Sequence, residues 1–515
     1  MSIHLLACAG IVISLFVFAQ VTVVNGPGTP PGPRAGPSLG NALKRRPYDV
    51  FSRWSEQYSS SVVSFKMLWK RVVVVNRFDA ADALFNKRCA AFSDRPFRVV
   101  ANLCEYDRSL VFMSQGPRFK RTRKLYHDVL NARTIANQLP YFESLTPKFL
   151  ASLLDAPTDV HRHIHFFFTD TILAWTLGYH ARDEHDDLLV LSENVSNHAI
   201  HMTTPGVRIW VELFPLFTYL PLWMAGREAA ATMRGFKDDL KLLLRRSEAY
   251  ARVCLEKGSP PSFLSNILKD ATTEEERDIA LYSSVSLTGG AYDTMISITE
   301  SFFVAMIRYP ESQRKAHEEI DRVVGRNRLP TAADRSSLPY TEALLTEVMR
   351  WVPPVPFTSR AISRDEEYEG MVFPKHSSVV ANIWGMTHDP ARFPDPDVFR
   401  PERYLPPLDR SGDSENGRAQ EPAAAAREVR KVVFGFGRRI CPGQFYADAL
   451  LWIALVRVLA TMAIAAPPGQ PAPEPELVDG AIIRFAPFPC EVRERFEGAR
   501  ALVGLAERQA EERLT

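Results

Sequence analysis

Apolar positions recur at intervals of three and four residues over long stretches. This predicts amphipathic helices at 117–139, 227–257, 276–308, 310–325 and 338–351. Two short β-branched runs, Val62-Val63-Ser64-Phe65 and Arg71-Val72-Val73-Val74-Val75-Asn76, predict strands. Weaker strand signal returns near 368–373, 377–383 and 480–493. Residues 406–430 are polar, rich in Gly and Ala and without strong periodicity, which predicts a surface loop. A further helix is predicted at 443–464. There is no internal repeat. The sum is a mostly helical fold with small sheets, and residues 41–515 read as one large domain.

The N-terminus follows a different pattern. Ile3 to Val24 is almost wholly apolar, broken by His4 and Gln20. As a helix it would run roughly 33 Å, enough to cross a bilayer core. A cleaved leader ending near Val17-Phe18-Ala19 is the alternative. The stretch is long for a leader and has no basic segment before it. Basic residues follow instead, at Arg34, Lys44, Arg45 and Arg46, which predicts a transmembrane anchor over 1–24 with the rest of the chain cytoplasmic. Residues 25–40, NGPGTPPGPRAGPSLG, cannot continue a helix and read as a hinge or spacer.

Composition narrows the class. The chain is 46% apolar and 24% charged, as globular proteins are. A net charge of +2 gives no reason to expect a nucleic-acid partner. The six cysteines, Cys8, Cys89, Cys104, Cys254, Cys441 and Cys490, form no CxxC pair, so neither a disulfide framework nor a zinc ribbon is indicated. His161, His163 and His165 alternate as HRHIH. Metal ligation is one reading and an ordinary polar helix face the other, since zinc needs further convergent ligands.

One segment carries the chemistry: Phe434-Gly435-Phe436-Gly437-Arg438-Arg439-Ile440-Cys441-Pro442-Gly443, followed by a predicted helix. Its glycines allow a tight turn and close approach to a flat cofactor. A cysteine just before a helix N-terminus meets free N–H groups and the positive end of the helix dipole, which favour a thiolate. Such a sulfur is a good axial ligand to haem iron. The segment resembles the haem-binding signature of cytochromes P450, Phe-x-x-Gly-x-Arg-x-Cys-x-Gly, with Phe434, Gly437, Arg439, Cys441 and Gly443 at its fixed positions.

Other segments resemble the family in the same order along the chain, from about residue 27 to 495. Glu347-Val348-Met349-Arg350 resembles its Glu-x-x-Arg helix and Arg400-Pro401-Glu402-Arg403-Tyr404 its Pro-Glu-Arg segment. The resemblance implies a buried charge network of Glu347, Arg350 and Arg403 with a folding role. Gly289-Gly290-Ala291-Tyr292-Asp293-Thr294 resembles the mid-helix oxygen site, and implies that Gly290 lies over the haem while Asp293 and Thr294 form the acid–alcohol pair that delivers protons to dioxygen. The sequence departs from the family pattern at Ala291 and Met295. Two mid-helix glycines cost about 1 kcal/mol each against alanine, so close approach or a kink is expected there. Phe119 and Arg123 stand where the family has Trp-x-x-x-Arg, which implies that Arg123 meets a haem propionate while the indole N–H is lost. Arg360 and Arg439 would supply the other guanidiniums, which suit carboxylates through their fork geometry.

The resemblance implies heme b held by Cys441 and a monooxygenase that inserts one oxygen atom of O2 into an apolar small molecule, in secondary metabolism or xenobiotic oxidation. No dinucleotide or flavin motif occurs here, so electrons would come from NADPH through a separate cytochrome P450 reductase, with cytochrome b5 as a second donor, at the endoplasmic reticulum membrane. The basic run Arg118 to Lys124, with Arg430, Lys431 and Arg438, reads either as a solvated face or as a dock for an acidic reductase. An oxygen-independent or peroxide-driven enzyme of the same fold, and a non-catalytic haem binder, are the alternatives. Segments 97–115, 200–217, 284–294, 353–359 and 480–486, with Phe97, Val99, Leu103, Phe357, Ile482 and Phe485, are the expected pocket lining.

Overall fold

The computed structural model describes residues 28–33, 43, 45–67, 70–203, 211–212, 226–257, 262–406, 422–474 and 476–514. The expected anchor over 1–24 and most of the expected pocket segment 200–217 lie outside them, as does most of the 25–40 spacer. Helices of eleven or more residues are α1 Pro47–Gln57, α2 Pro117–Leu130, α3 Leu139–Asp155, α4 Val160–Leu177, α5 Asp187–Thr203, α6 Arg227–Lys257, α7 Glu274–Arg308, α8 Pro310–Val323, α9 Pro339–Trp351, α10 Pro422–Val433, α11 Gln444–Thr461 and α12 Ala499–Leu514. The strands are β1 Val62–Met67, β2 Lys70–Val75, β3 Phe357–Ala361, β4 Glu366–Tyr368, β5 Met371–Phe373, β6 Ser378–Asn382, β7 Met462–Ala465, β8 Leu477–Val478, β9 Arg484–Phe485 and β10 Glu491–Glu494.

The chain divides into two compact units. The first takes in the chain up to Phe97, Pro356–Arg392 and Gly435–Ile440. It holds a four-stranded sheet in the order β1-β2-β6-β3, in which β2 and β6 are parallel and the other pairs antiparallel. The valines of β2 are buried on both faces, as expected of a central strand covered on each side. α1 contributes Phe51 and Trp54 to a core with Val63, Phe65, Val74 and Val380. Part of the Pro/Gly segment belongs to this body. Ser64 N–H donates to Pro31 O at 2.7 Å and Val372 N–H to Gly28 O at 2.6 Å. A Cβ at Gly32 would stand 1.9 Å from Ser64 O, so only glycine fits there.

The second unit is helical. α7 is one continuous 35-residue helix, N-capped by Thr273 in a capping box with Glu276. α4 packs along it, joined by a Thr176–Thr288 hydroxyl pair 3.0 Å apart. α11 is buried along most of its length. Among the described residues it is the one helix long and apolar enough to cross a membrane, but 78% of it is buried in the protein. The expected loop at 406–430 is corrected in part, because α10 begins at Pro422. Its period was hidden: Ala425, Val429 and Val432 are buried at i, i+4 and i+7, but alanine carries a weak apolar signal while having the highest helix propensity.

α9 carries the expected charge network. Glu347 receives two bonds from Arg350, both at 2.8 Å, one from Arg403 Nε at 3.2 Å, one from the Tyr404 hydroxyl at 2.9 Å and one from the Arg400 N–H at 2.9 Å. Both side chains of the Glu347–Arg350 pair are fully buried. Removing one partner leaves an uncompensated buried charge. Glu347→Gln is therefore expected to cost about 3–5 kcal/mol of stability, read as a lowered midpoint of denaturant unfolding and a smaller yield of folded protein.

Candidate active site

The cysteine loop closes on itself before α11 begins. Cys441 N–H donates to Phe434 O at 2.8 Å, and Ile440 N–H to Gly437 O at 3.1 Å. Gly437 has φ of 53° and donates its N–H to Asn86 Oδ1 at 2.6 Å. A Cβ there would meet Phe85 O at 2.1 Å, so both conformation and space demand glycine. Phe434 and Cys441 are half-buried. Burial pushes the Cys441 thiol up from its ordinary value, while the Gly443 N–H and Arg123 pull it back down. The loop thus offers a thiolate partial compensation from a backbone donor, a guanidinium and a helix N-terminus.

Arg123 sits one turn after Phe119 on α2. Phe119 is buried, so it keeps the packing role of a ring without an N–H. Burial holds Arg123 below the usual guanidinium range, and Cys441 pulls it upward. In the first unit, Arg360 on β3 is 1% exposed. Its guanidinium donates to Phe436 O at 2.8 Å and Phe92 O at 3.3 Å and lies 4.6 Å from the Phe85 ring centroid. Its Nε has no partner, and burial together with Arg95 pushes it down to about 9. No carboxylate is among its described partners. Arg439 Nε donates to Ser93 O at 2.7 Å. Arg95, which sequence reasoning missed, donates to Thr358 Oγ1 at 3.4 Å and to the Ser359 carbonyl.

On α7 every residue from Met295 to Ile307 is buried, whereas Gly290 is exposed and nothing lies within 4 Å of where its Cβ would be. Thr294 is half-buried on the same stretch, its hydroxyl bonded to Gly290 O and Ala291 O at 3.2 Å. The helix therefore opens at Gly290 and Thr294. The expected close approach falls on the other glycine: a Cβ at Gly289 would stand 3.1 Å from Ser196 Oγ on α5. Asp293 points elsewhere. It is fully buried, ion-paired with Arg484 of β9, and accepts a bond from Ser196 Oγ at 3.0 Å. Neither Ser196 nor Arg484 was singled out by the sequence.

Within the second unit two features fit haem: an open glycine in a buried helix leaves room for a flat group, and the Cys441 sulfur stands where a thiolate is compensated. In the first unit, taken by itself, a buried arginine without an acidic partner suits a propionate.

Other expected residues have plainer roles. His161 and His165 both face the buried Glu300, at 3.3 and 3.5 Å, and no group of metal-ligating geometry occurs among the described residues. Val99 and Phe485 are buried in the second unit, Phe485 lining a cavity with Val304 and Phe488, and Phe357 is half-buried against the sheet core of the first. Leu103 and Ile482 are half-buried, and Phe97 is 51% exposed. The basic run is only partly available for docking. Arg118 pairs with Asp278 and Arg121 with Glu275, both at 2.6 Å, and Arg430 is held by Asp448 and Glu342. Lys120, Lys124 and Lys431 are exposed.

The sequence profile of the family described as Cytochrome P450 matches residues 30–484. Cytochrome P450 monooxygenase 208 of Postia placenta is 32% identical over 92% of each chain. Cytochrome P450 monooxygenase claR of Ampulloclitocybe clavipes is 31% identical over 96% of this chain and 91% of that one. A solved zebra fish cytochrome P450, in a structure with abiraterone, shares the fold with a TM-score of 0.68 at 20% identity, covering 87% of this chain and 100% of that chain. The chain belongs to the cytochrome P450 family: it is a monooxygenase that carries haem on a cysteine thiolate and works with dioxygen, a substrate and a redox partner.

Proposed function

We propose that Cys441 is the haem ligand and that the enzyme inserts one oxygen atom into an apolar small molecule of secondary or xenobiotic metabolism. The observation that carries this is the loop itself, which closes with the Cys441 N–H on Phe434 O at 2.8 Å and sets the cysteine just before α11, where the Gly443 N–H and Arg123 both favour its thiolate. Bound haem would supply the binding and activation of dioxygen. Arg123, Arg360 and Arg439 would hold its propionates. Phe434, Gly437 and Gly443 would shape the turn under it, with Phe119 packing alongside. Gly290 would leave room for it, and the Thr294 hydroxyl, bonded to the Gly290 and Ala291 carbonyls, would hold a proton for transfer, with Asp293 as its acid partner.

Electrons would come from NADPH through a separate cytochrome P450 reductase, with cytochrome b5 as a second donor. The exposed Lys120, Lys124 and Lys431 support an acidic partner. The apolar run Ile3–Val24, followed by basic residues, supports a single-pass anchor in the endoplasmic reticulum membrane, a hinge over 25–40 and a cytoplasmic catalytic domain over 41–515.

Cys441→Ser is expected to abolish the thiolate–CO absorbance of the reduced enzyme; an unchanged spectrum would refute the ligand assignment. Arg360→Leu is expected to keep that spectrum in whatever protein retains haem but to lower the haem-to-protein ratio. Product formed with peroxide alone, and none with NADPH, reductase and oxygen, would favour the peroxide-driven alternative. Lys120→Glu with Lys124→Glu is expected to raise the KM for reductase by about tenfold at low salt, an effect that shrinks as ionic strength rises, while the CO spectrum stays intact.

A further inference from the structure

Aromatic rings of the second unit form an unbroken series beside the cysteine loop. Tyr446 stands in the first turn of α11, five residues after Cys441. Its ring centroid is 4.8 Å from that of Trp175 on α4 and 5.0 Å from that of Phe142 on α3. Tyr141 follows Phe142, with centroids 6.1 Å apart. A second arm starts on α2, where Tyr126 lies one turn after Arg123. Tyr126 stacks on Phe263 at 6.0 Å and 22°, and Phe263 stacks on Trp175 at 5.7 Å and 26°. Contacts of this spacing and tilt are those that aromatic pairs favour. The two helices that supply the groups favouring the Cys441 thiolate therefore both lead, ring by ring, to Trp175.

Packing accounts for the contacts but not for the residue types. Tyr446 is buried, and its hydroxyl has no hydrogen-bond partner among the described residues. Phenylalanine would fill the same space without leaving a buried hydroxyl unpaired. The Tyr126 hydroxyl donates to Ser283 O at 2.7 Å, a carbonyl that cannot keep its proton. Both phenols are electron-rich rings that have nowhere to shed a proton, so neither can hold an electron vacancy for long. Trp175 differs, because an indole gives up an electron without first losing its N–H. That N–H donates to Gln138 Oε1 at 2.9 Å. Tyr141 differs again: it is half-buried, so water can take its phenolic proton.

We propose that this series is an electron-transfer path that carries unused oxidising equivalents from the Cys441 site to Tyr141, with Trp175 as the intermediate donor where its two arms meet. This inference rests on the reading of Cys441 as the haem ligand, since bound haem would supply the oxidant when no substrate consumes it. Trp175 gives up one electron and keeps its N–H. Tyr141 then returns one electron to Trp175 and releases its phenolic proton to water. The Tyr141 phenoxyl is restored by one electron and one proton from a soluble thiol or ascorbate. Each passage spends one hydrogen atom of that reductant and removes one oxidising equivalent from the site. Tyr446, Tyr126 and the two phenylalanines conduct without storing charge.

The test uses the full-length haem-loaded enzyme, mixed with hydrogen peroxide without substrate and frozen rapidly. Electron paramagnetic resonance is expected to show an organic radical that narrows when the tryptophans carry ring deuterium and is lost in Trp175→Phe. With a nitroso spin trap present, peptide mass spectrometry is expected to find the adduct on Tyr141. In Tyr141→Phe the adduct is lost and the tryptophan signal lasts longer; this half-buried position keeps the path testable if Trp175→Phe fails to fold. If Trp175→Phe keeps the parental radical and the Tyr141 adduct, or Tyr141→Phe leaves the tryptophan signal unchanged, the path is overturned. A parental enzyme with a normal thiolate–CO spectrum but no organic radical overturns it as well, and leaves the haem ligation standing. A parental enzyme without that spectrum removes the ligand reading, and the path with it.

Discussion

Burial opposes the ionisation of Cys441, and much of the second unit near that residue can be understood as compensation for it. A buried thiol that must act as a thiolate needs positive potential from groups that cannot themselves take the proton. The chain supplies a backbone N–H at Gly443, a helix whose first turn starts at Gln444, and the guanidinium of Arg123. Arg123 is itself partly desolvated, so cation and sulfur are each less stable alone than together. The anchoring of α11 then has a purpose beyond packing. Asp448, one turn into it, is bound by Arg335 at 2.7 Å and also by Arg430. These ties fix the helix end from which the compensation comes.

Two kinds of buried charge coexist in this protein. Glu347 and Arg350 are closed: each polar atom of the carboxylate has protein partners, and nothing further is needed. Arg360 is open. Its donors go to carbonyl oxygens and its Nε has none, so its charge is buried without a counter-ion and burial pushes it down to about 9. A folded protein rarely leaves such a group unless a ligand completes it. Charge satisfied within the chain serves folding, and on the proposed function the unsatisfied Arg360 would be completed by the cofactor.

The sequence showed most clearly what depends on contiguous residues. The ten-residue cysteine loop, the continuous α7 and the Glu347–Arg350 pair each declare themselves through spacing along one element. What it hid depends on distant segments meeting. Arg484 lies 191 positions from Asp293, in a two-residue strand with no periodicity to mark it. Phe357, expected in the pocket lining, also packs against the sheet core as part of β3, a contact made with distant residues of α1 and β1. α10 was read as loop because four alanines carry little apolar signal, although their backbone preference is strongly helical. The basic run around Arg121 could not be sorted without its partners: two of its arginines pair with Glu275 and Asp278 of α7, leaving Lys120 and Lys124 to solvent.

The paired glycines of α7 show why a motif can be legible while its mechanics are not. Both weaken the helix, and the sequence alone would assign both to one purpose. The structure separates them by face. Gly290 is exposed, with nothing within 4 Å of where its Cβ would stand. Gly289 is turned toward α5, where its missing side chain admits Ser196 to hydrogen-bonding distance of Asp293. Because successive helical residues are about 100° apart, Asp293 and Thr294 likewise look to different surroundings, one to a buried ion pair and the other to the opening. The local cost of two glycines in one helix thus yields two faces, one shaped for a ligand and the other for the polar groups behind it.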